Sequence, residues 1–232
     1  MFPLHDDNPA KTTPYITFVL IGSCLLAFIW QLSLGKYSQN AVLSLGMIPA
    51  VIFNLQQLHP ELVTVPALAT FFTSMFLHGG WMHLIGNMLY LWIFGNNVED
   101  AMGHRRFIAF YLICGVAAAL TQAIPDVHST TPMIGASGAI SGVLGAYLLL
   151  YPHARVLVVI PLGFYIHATR IKAGWVLGFS FALQIVNSVI SGDQQGGVAW
   201  GAHIGGFVAV LAFIPFFKYK HVPLFAAARR KD

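Results

Sequence analysis

Apolar residues in this chain fall in long unbroken blocks. They show neither the two-residue alternation of a half-buried strand nor the one-sided stripe of a surface helix. Six blocks stand out: Tyr15–Leu34, His78–Gly95, Phe107–Ile124, Ile134–Tyr151, Ala173–Ile190 and Val198–Phe217. Each holds 18 to 20 residues, enough for a helix to cross a hydrocarbon layer roughly 30 Å thick. The pattern predicts an all-α, polytopic membrane protein with six transmembrane helices. It divides the chain into an N-terminal segment 1–14, a membrane domain 15–217 and a basic tail 218–232. The connection 35–77 contains Pro49, Pro60 and Pro66 and is too apolar for a free linker. It is expected to lie at the membrane interface, packed on the protein.

Composition agrees with the pattern. The 232 residues are 57% hydrophobic and 9% charged, with a mean hydropathy of +0.71. A soluble domain needs far more charge to cover its outside. These values exclude an ordinary soluble globule, a disordered chain and a nucleic-acid binder with a basic face. A signal peptide does not fit, because residues 2–9 carry two acids and no Lys or Arg. Cys24 and Cys114 lie in apolar blocks outside any C-x-x-C pattern, so they read as core residues and not as a zinc or redox site.

Charge then sets sidedness. Of the 12 Lys and Arg, 11 fall in 1–14, 96–106, 152–172 and 218–232, and only Lys36 falls in the other connections. The positive-inside rule puts both termini in the cytoplasm and 35–77, 125–133 and 191–197 outside.

No span carries a charge at its middle, but several carry polar groups: His78, His83, Asn87, Ser137, Ser141, Gln184, Asn187 and His203. Each is a functional candidate, with hydrogen bonding between helices as the alternative. Spans two, four and six all run inward from the outer face. His83, Asn87, Ser137 and His203 then sit within roughly 5–15 Å of the outer surface at 1.5 Å per residue. His83 and Asn87 share a helix face. Gly138/Gly142 in span four and Gly201/Gly205 in span six have the small-xxx-small spacing of close helix pairs. Packing those faces together would bring Ser137 beside His203; a tight pair without chemistry is the alternative.

A serine hydroxyl becomes a nucleophile when a neutral imidazole takes its proton. Ser137 as nucleophile and His203 as general base supply that pair. With no acid at span depth, a dyad is expected and not a triad. An oxyanion needs donors, and His83, Asn87 and the Ser137 backbone N–H in the first turn of its helix can supply them. Together these groups suit hydrolysis of an amide or ester. There is no H-E-x-x-H motif and no intramembrane Asp pair. A metal or haem on His78, His83 and His203 stays as an alternative that leaves Ser137 unexplained. No metal or organic cofactor is expected.

The chain resembles the rhomboid intramembrane serine proteases. The resemblance is carried by Gly135-Ala136-Ser137-Gly138, by Ala202-His203-x-x-Gly206, by HGGWMHLIGNMLYLWIFGNNVE from His78 to Glu99, and by Tyr151-Pro152-x-Ala154-Arg155-Val156. It implies a rhomboid-like bundle, with Ser137 as nucleophile, His203 as general base, and His83, Asn87 and the Ser137 N–H as the oxyanion hole. It also implies that single-span membrane proteins are cut near the outer end of their helix, with span five as a lateral gate and 191–197 as a cap. The partners implied are those substrates and the bilayer, with no nucleic acid. Two features depart from patterns in some rhomboids: 35–77 has no Trp-Arg pair, and Ser141 stands where an aromatic packs on the catalytic histidine. A client-binding pseudoprotease and a small transporter are the competing readings. The short chain without a targeting sequence leans toward a bacterial cytoplasmic membrane.

Overall fold

The computed structural model describes residues 2–163, 165–191 and 200–226. Strand β1 (Phe2–Asp6) precedes helix α1 (Tyr15–Ser33). The 35–77 connection folds into α2 (Ser38–Leu45), α3 (Pro49–Ile52) and α4 (Thr70–Thr73), joined by 3-10 turns. Next come α5 (Trp81–Met102), α6 (His104–Ala123) and α7 (Ser137–Leu150). A hairpin of β2 (Arg155–Leu162) and β3 (Tyr165–Lys172) leads into α8 (Ala173–Ser191) and α9 (Trp200–Phe217).

The chain is mostly helical, and each apolar block contains one long helix. By length and composition alone, α1 and α6 are sufficient to cross a membrane. The apolar stretches of α7, α8 and α9 are shorter. Helix α5 has 22 residues but carries Asn96, Asn97, Glu99 and Asp100 in its last turns. Expected to end at Gly95, it continues to Met102 because those polar residues find partners. It meets α6 through the single residue Gly103, whose φ of +79° favours glycine. A Cβ there would also strike the Tyr219 hydroxyl.

The all-α expectation needs correction at one end of the bundle. β1, β2 and β3 form an antiparallel sheet in that order, with Phe2 opposite Val159, Asp6 opposite Val156 and Arg155 opposite Lys172. Residues 155–172 are rich in Val and Ile around a turn at Gly163 (φ +61°), which is hairpin chemistry. Val156 and Val158 are fully buried against the helical core.

Helix α9 packs on two neighbours through two faces of small residues. Gly206 sits directly on the Gly138 carbonyl of α7, and Gly142 faces the Gly206 carbonyl. Gly201 and Gly205, expected to face span four, instead sit on Gln122 and Thr121 of α6. One residue step turns a helix by about 100°, so Ala202/Gly206 is the face presented to α7.

The connections gather in two groups. At one end β1 pairs with β2, Asn8 donates to Asn97 (2.7 Å), Thr12 donates to Asp100 (2.9 Å) and the Tyr219 N–H donates to the Ala101 carbonyl (2.9 Å). At the other, Met47 and Met133 exchange backbone hydrogen bonds (3.0 and 2.8 Å) and the Ala50 N–H donates to the Ser129 carbonyl (3.0 Å). Over the described residues these groups match the two sets into which the basic residues divide the connections.

Candidate active site

Helix α5 begins under a clamp. Gln31 of α1 binds the His78 backbone at both ends, accepting from its N–H (3.0 Å) and donating to its carbonyl (3.3 Å). The His78 ring is buried and edge-on to His83, with centroids 5.2 Å apart. His83 Nδ1 accepts from the Gly79 N–H at 3.4 Å. That bond fixes the tautomer: Nε2 carries the proton and is the donor.

The donor faces Gly135. A Cβ at Gly135 would lie 2.7 Å from His83 Nε2 and 3.8 Å from Asn87 Nδ2. Gly135 also has φ +119°, which side chains avoid. Its N–H donates to the Ser74 carbonyl at 2.8 Å, pinning the extended segment that leads into α7. His83 and Asn87, one turn apart, therefore converge on the backbone just before Ser137.

Ser137 is the first residue of α7, and no side chain caps that helix. Its N–H has no acceptor within the helix, and the positive end of the helix dipole lies there. Asn87 is buried, and its Nδ2 has no hydrogen-bond partner. Four buried side-chain polar atoms lack partners among the described residues, and His78 Nε2 and Asn87 Nδ2 are two of them. A buried donor without an acceptor costs free energy, so its retention calls for a purpose.

His203 enters from α9. Its neighbour Ala202 packs on Gly138, and the Ala202 N–H donates to Gln122 Oε1 of α6 at 3.2 Å. His83 is an electrostatic neighbour of His203. Residues of α5, α7 and α9 thus meet around Gly135–Gly138. Behind them lies a small cavity of about 40 Å³, lined in part by Ser74, Gly135, Ser137 and Ala202. It is large enough for water.

Other expectations resolve individually. Ser141 is buried one turn into α7. Cys24 and Cys114 are free and buried. Gln184 lies on α8, and its Oε1 has no partner. The Asn187 side chain, most of the expected cap at 191–197 and the basic residues after 226 lie outside the described residues. Among the described residues, no group of three or more His, Cys, Asp or Glu could hold a metal ion. Gln31, Ser74 and Gln122 were not anticipated from sequence. Gln31 was the most visible of them, as a polar residue near the end of an apolar block.

A rhomboid-domain family model matches residues 66–219. This chain belongs to the rhomboid family. It is a family of membrane-embedded proteins. RHOMBOID-like protein 5 of Arabidopsis thaliana is 30% identical over 62% of this chain and 43% of its own length. Rhomboid protease GluP of Bacillus subtilis is 36% identical over 60% of this chain and 25% of its own. Rhomboid protein 1, mitochondrial, of Saccharomyces cerevisiae is 36% identical over 36% of this chain and 25% of its own. The chain spans less than half the length of these curated relatives. They come from a plant, a bacterium and a yeast, so the family alone selects no compartment.

Proposed function

We propose that this rhomboid is a serine endopeptidase that cuts single-span membrane proteins in or near their transmembrane helix, close to the outer face. The observation that carries this reading is the meeting of an uncapped Ser137 helix N-terminus with the unpartnered Asn87 Nδ2 and the Nε2–H of His83.

His203 takes the Ser137 Oγ proton as Oγ attacks the scissile carbonyl. The carbonyl π electrons move to oxygen, and the oxyanion accepts from Asn87 Nδ2, His83 Nε2–H and the Ser137 N–H. The intermediate collapses, His203 protonates the departing amine, and an acyl ester remains on Ser137. Water from the 40 Å³ cavity then attacks with His203 again as base, releasing acid and serine. No carboxylate is required beyond the dyad.

Six spanning helices, domain limits of 1–14, 15–217 and 218–232, and cytoplasmic termini form part of the proposal. The separation of the connections into two groups supports it, because the basic residues divide the same way. Outward-facing apolar side chains on α1 support it too: Leu26 is 70% exposed, Val19 60% and Ile29 58%, surfaces suited to lipid. Helix α8 would act as the lateral gate; its Phe181 stacks on Phe207 of α9 at 3.9 Å. The Bacillus relative supports a bacterial cytoplasmic membrane, and the yeast relative makes a mitochondrial membrane the alternative.

The test is cleavage of a single-span model substrate, with a helix-destabilised outer end, in proteoliposomes. The cut is expected within the outer turns of its helix, with none by Ser137→Ala or His203→Ala. Equal cleavage by either variant would overturn the proposal.

A further inference from the structure

The three-stranded sheet has two unlike faces. Successive side chains of a strand point to opposite sides. Val156 and Val158 of β2 point into the helical core and are fully buried, so Arg155, Leu157, Val159 and Pro161 point the other way. Residues directly opposite across a strand pair share a face. Lys172, Arg170, Ala168 and Ile166 of β3 therefore join the outer face, and so does Phe2 of β1, opposite Val159.

That face is basic at its base and apolar toward its tip. Arg155 and Lys172 lie side by side with Arg170 next to them, and all three are exposed. None of them makes an ion pair among the described residues. The acids of the adjoining strand are occupied elsewhere: buried Asp6 accepts from the Tyr147 hydroxyl (2.6 Å), and Asp7 accepts from the Arg155 backbone N–H (2.7 Å). Beyond the cations, Phe2, Pro161 and Ala168 are exposed. At the turn Ile166 is 74% and Tyr165 82% exposed, on opposite faces. At about 3.3 Å per residue this tip stands roughly 20 Å from Lys172. The base of the hairpin packs on the bundle, and the tip does not.

Helix α8 sets the height of that base. It begins at Ala173, directly after Lys172. The Ala173 N–H donates to the Ala154 carbonyl (2.7 Å) and the Gly174 N–H to the Pro152 carbonyl (2.9 Å), so the junction is fixed to the end of α7. Trp175, in the first turn of α8, is exposed. Tryptophan near the end of a spanning helix sits at the level of the lipid headgroups. The hairpin thus leaves the bundle at headgroup height, which rests on the reading of α8 as a membrane span.

We infer that the outer face and tip of this hairpin are a docking surface for an anionic phospholipid leaflet, the one on the side of the termini. Arg155, Arg170 and Lys172 supply the attraction to lipid phosphates. Tyr165 suits the headgroup layer, and Ile166 the acyl boundary beneath it. A leaflet offers phosphate and hydrocarbon within roughly 5–10 Å of each other. An acidic protein would match the cations and leave the apolar tip in water.

The test places a nitroxide on the tip. Ile166→Cys is labelled in the full chain, where Cys24 and Cys114 are buried, and the protein is reconstituted in nanodiscs. Discs of phosphatidylcholine alone are compared with discs of phosphatidylcholine and phosphatidylglycerol. In the anionic discs, collision with an aqueous nickel chelate is expected to fall about threefold while collision with oxygen rises. Arg155→Gln/Arg170→Gln/Lys172→Gln, at exposed positions, should restore nickel access with an unaltered Tm. Salt at about 1 M, which shortens the screening length to about 3 Å, should restore it as well. Equal nickel access in both kinds of disc would overturn the docking surface. So would shielding that survives the triple substitution, or dipolar broadening between labels, which would show a second copy of the chain covering the face. A separate label at Leu183→Cys, an exposed position on α8, keeps topology apart from docking. Nickel access at position 183 would overturn the spanning reading of α8, whereas shielding there beside a freely accessible tip would overturn the docking surface alone.

Discussion

The two ends of helix α5 carry polar groups used in opposite ways. At its Met102 end every buried polar side chain among the described residues is partnered. Asn97 donates to Asp6 (3.0 Å) and accepts from Asn8 (2.7 Å), and the Tyr147 hydroxyl donates to Asp6 (2.6 Å). Glu99, fully buried, accepts from the N–H groups of Ile16 and Thr17 (2.9 and 2.8 Å), from the Thr17 hydroxyl (2.7 Å) and from His104 (2.6 Å). It thereby caps α1. At its Trp81 end Asn87 Nδ2 and His78 Nε2 have nothing. A fully partnered network holds a fold together, whereas a buried donor kept without an acceptor is reserved for a group that arrives later.

The contrast can be broken by substitution, beginning with the largest effect. Asn87→Ala should lower kcat about 10²- to 10³-fold, the usual cost of one oxyanion donor. Removing an unpartnered donor should leave stability within about 0.5 kcal/mol. Kinetics beside thermal unfolding in detergent would check both; a large loss of stability with normal kcat would place Asn87 in the fold. Glu99→Ala should do the reverse. It leaves four donors without their acceptor and should cost about 3–5 kcal/mol of stability, with the folded fraction keeping its kcat.

A smaller effect comes from Asn97→Ala, about 1–3 kcal/mol, again without a change in kcat. The smallest concerns pH. Burial raises the Asp6 carboxyl from 3.8 to about 6, partly offset by the Tyr147 hydroxyl. A raised acid pKa means that the docked strand holds a proton the free strand releases. Its stabilising contribution is therefore full below 3.8 and fades as pH rises through about 6. Amide exchange in residues 2–6 should quicken between pH 5 and 7 beyond its intrinsic pH trend, and Asp6→Asn should remove that excess. An equal excess in both proteins would show that another group is responsible.

Much of the Trp81 end was legible in sequence because an apolar block leaves polar residues conspicuous. His83, Asn87, Ser137 and His203 stood out in apolar blocks, and the structure brings the first two and the segments bearing the others to Gly135–Gly138. The Met102 end was less legible. Asn96 to Asp100 read as the start of a connection after a span ending at Gly95, since nothing local reveals that Asp6 and Asn8, about 90 residues away, partner Asn97. Strand β1 was invisible for the same reason: its partner is β2, with Phe2 opposite Val159 and Asp6 opposite Val156, across more than half of the chain. The hairpin at 155–172 did carry a signal in Val156, Val158, Val159 and Ile160, but its basic residues drew the reading toward topology. Nor does anything local reveal the role of Glu99. It is a cap, paired with His104, while Arg106 stacks on Tyr219. The glycine spacing in span six announced close packing without telling which of two faces met α7.

The most direct test of the central claim is covalent. The full chain in detergent would be treated with a fluorophosphonate probe, beside Ser137→Ala and His203→Ala, and the adduct mapped by peptide mass spectrometry. The account predicts a single adduct on Ser137, absent from Ser137→Ala and reduced at least a hundredfold in His203→Ala. An adduct on another serine, or undiminished labelling of Ser137 without His203, would contradict it.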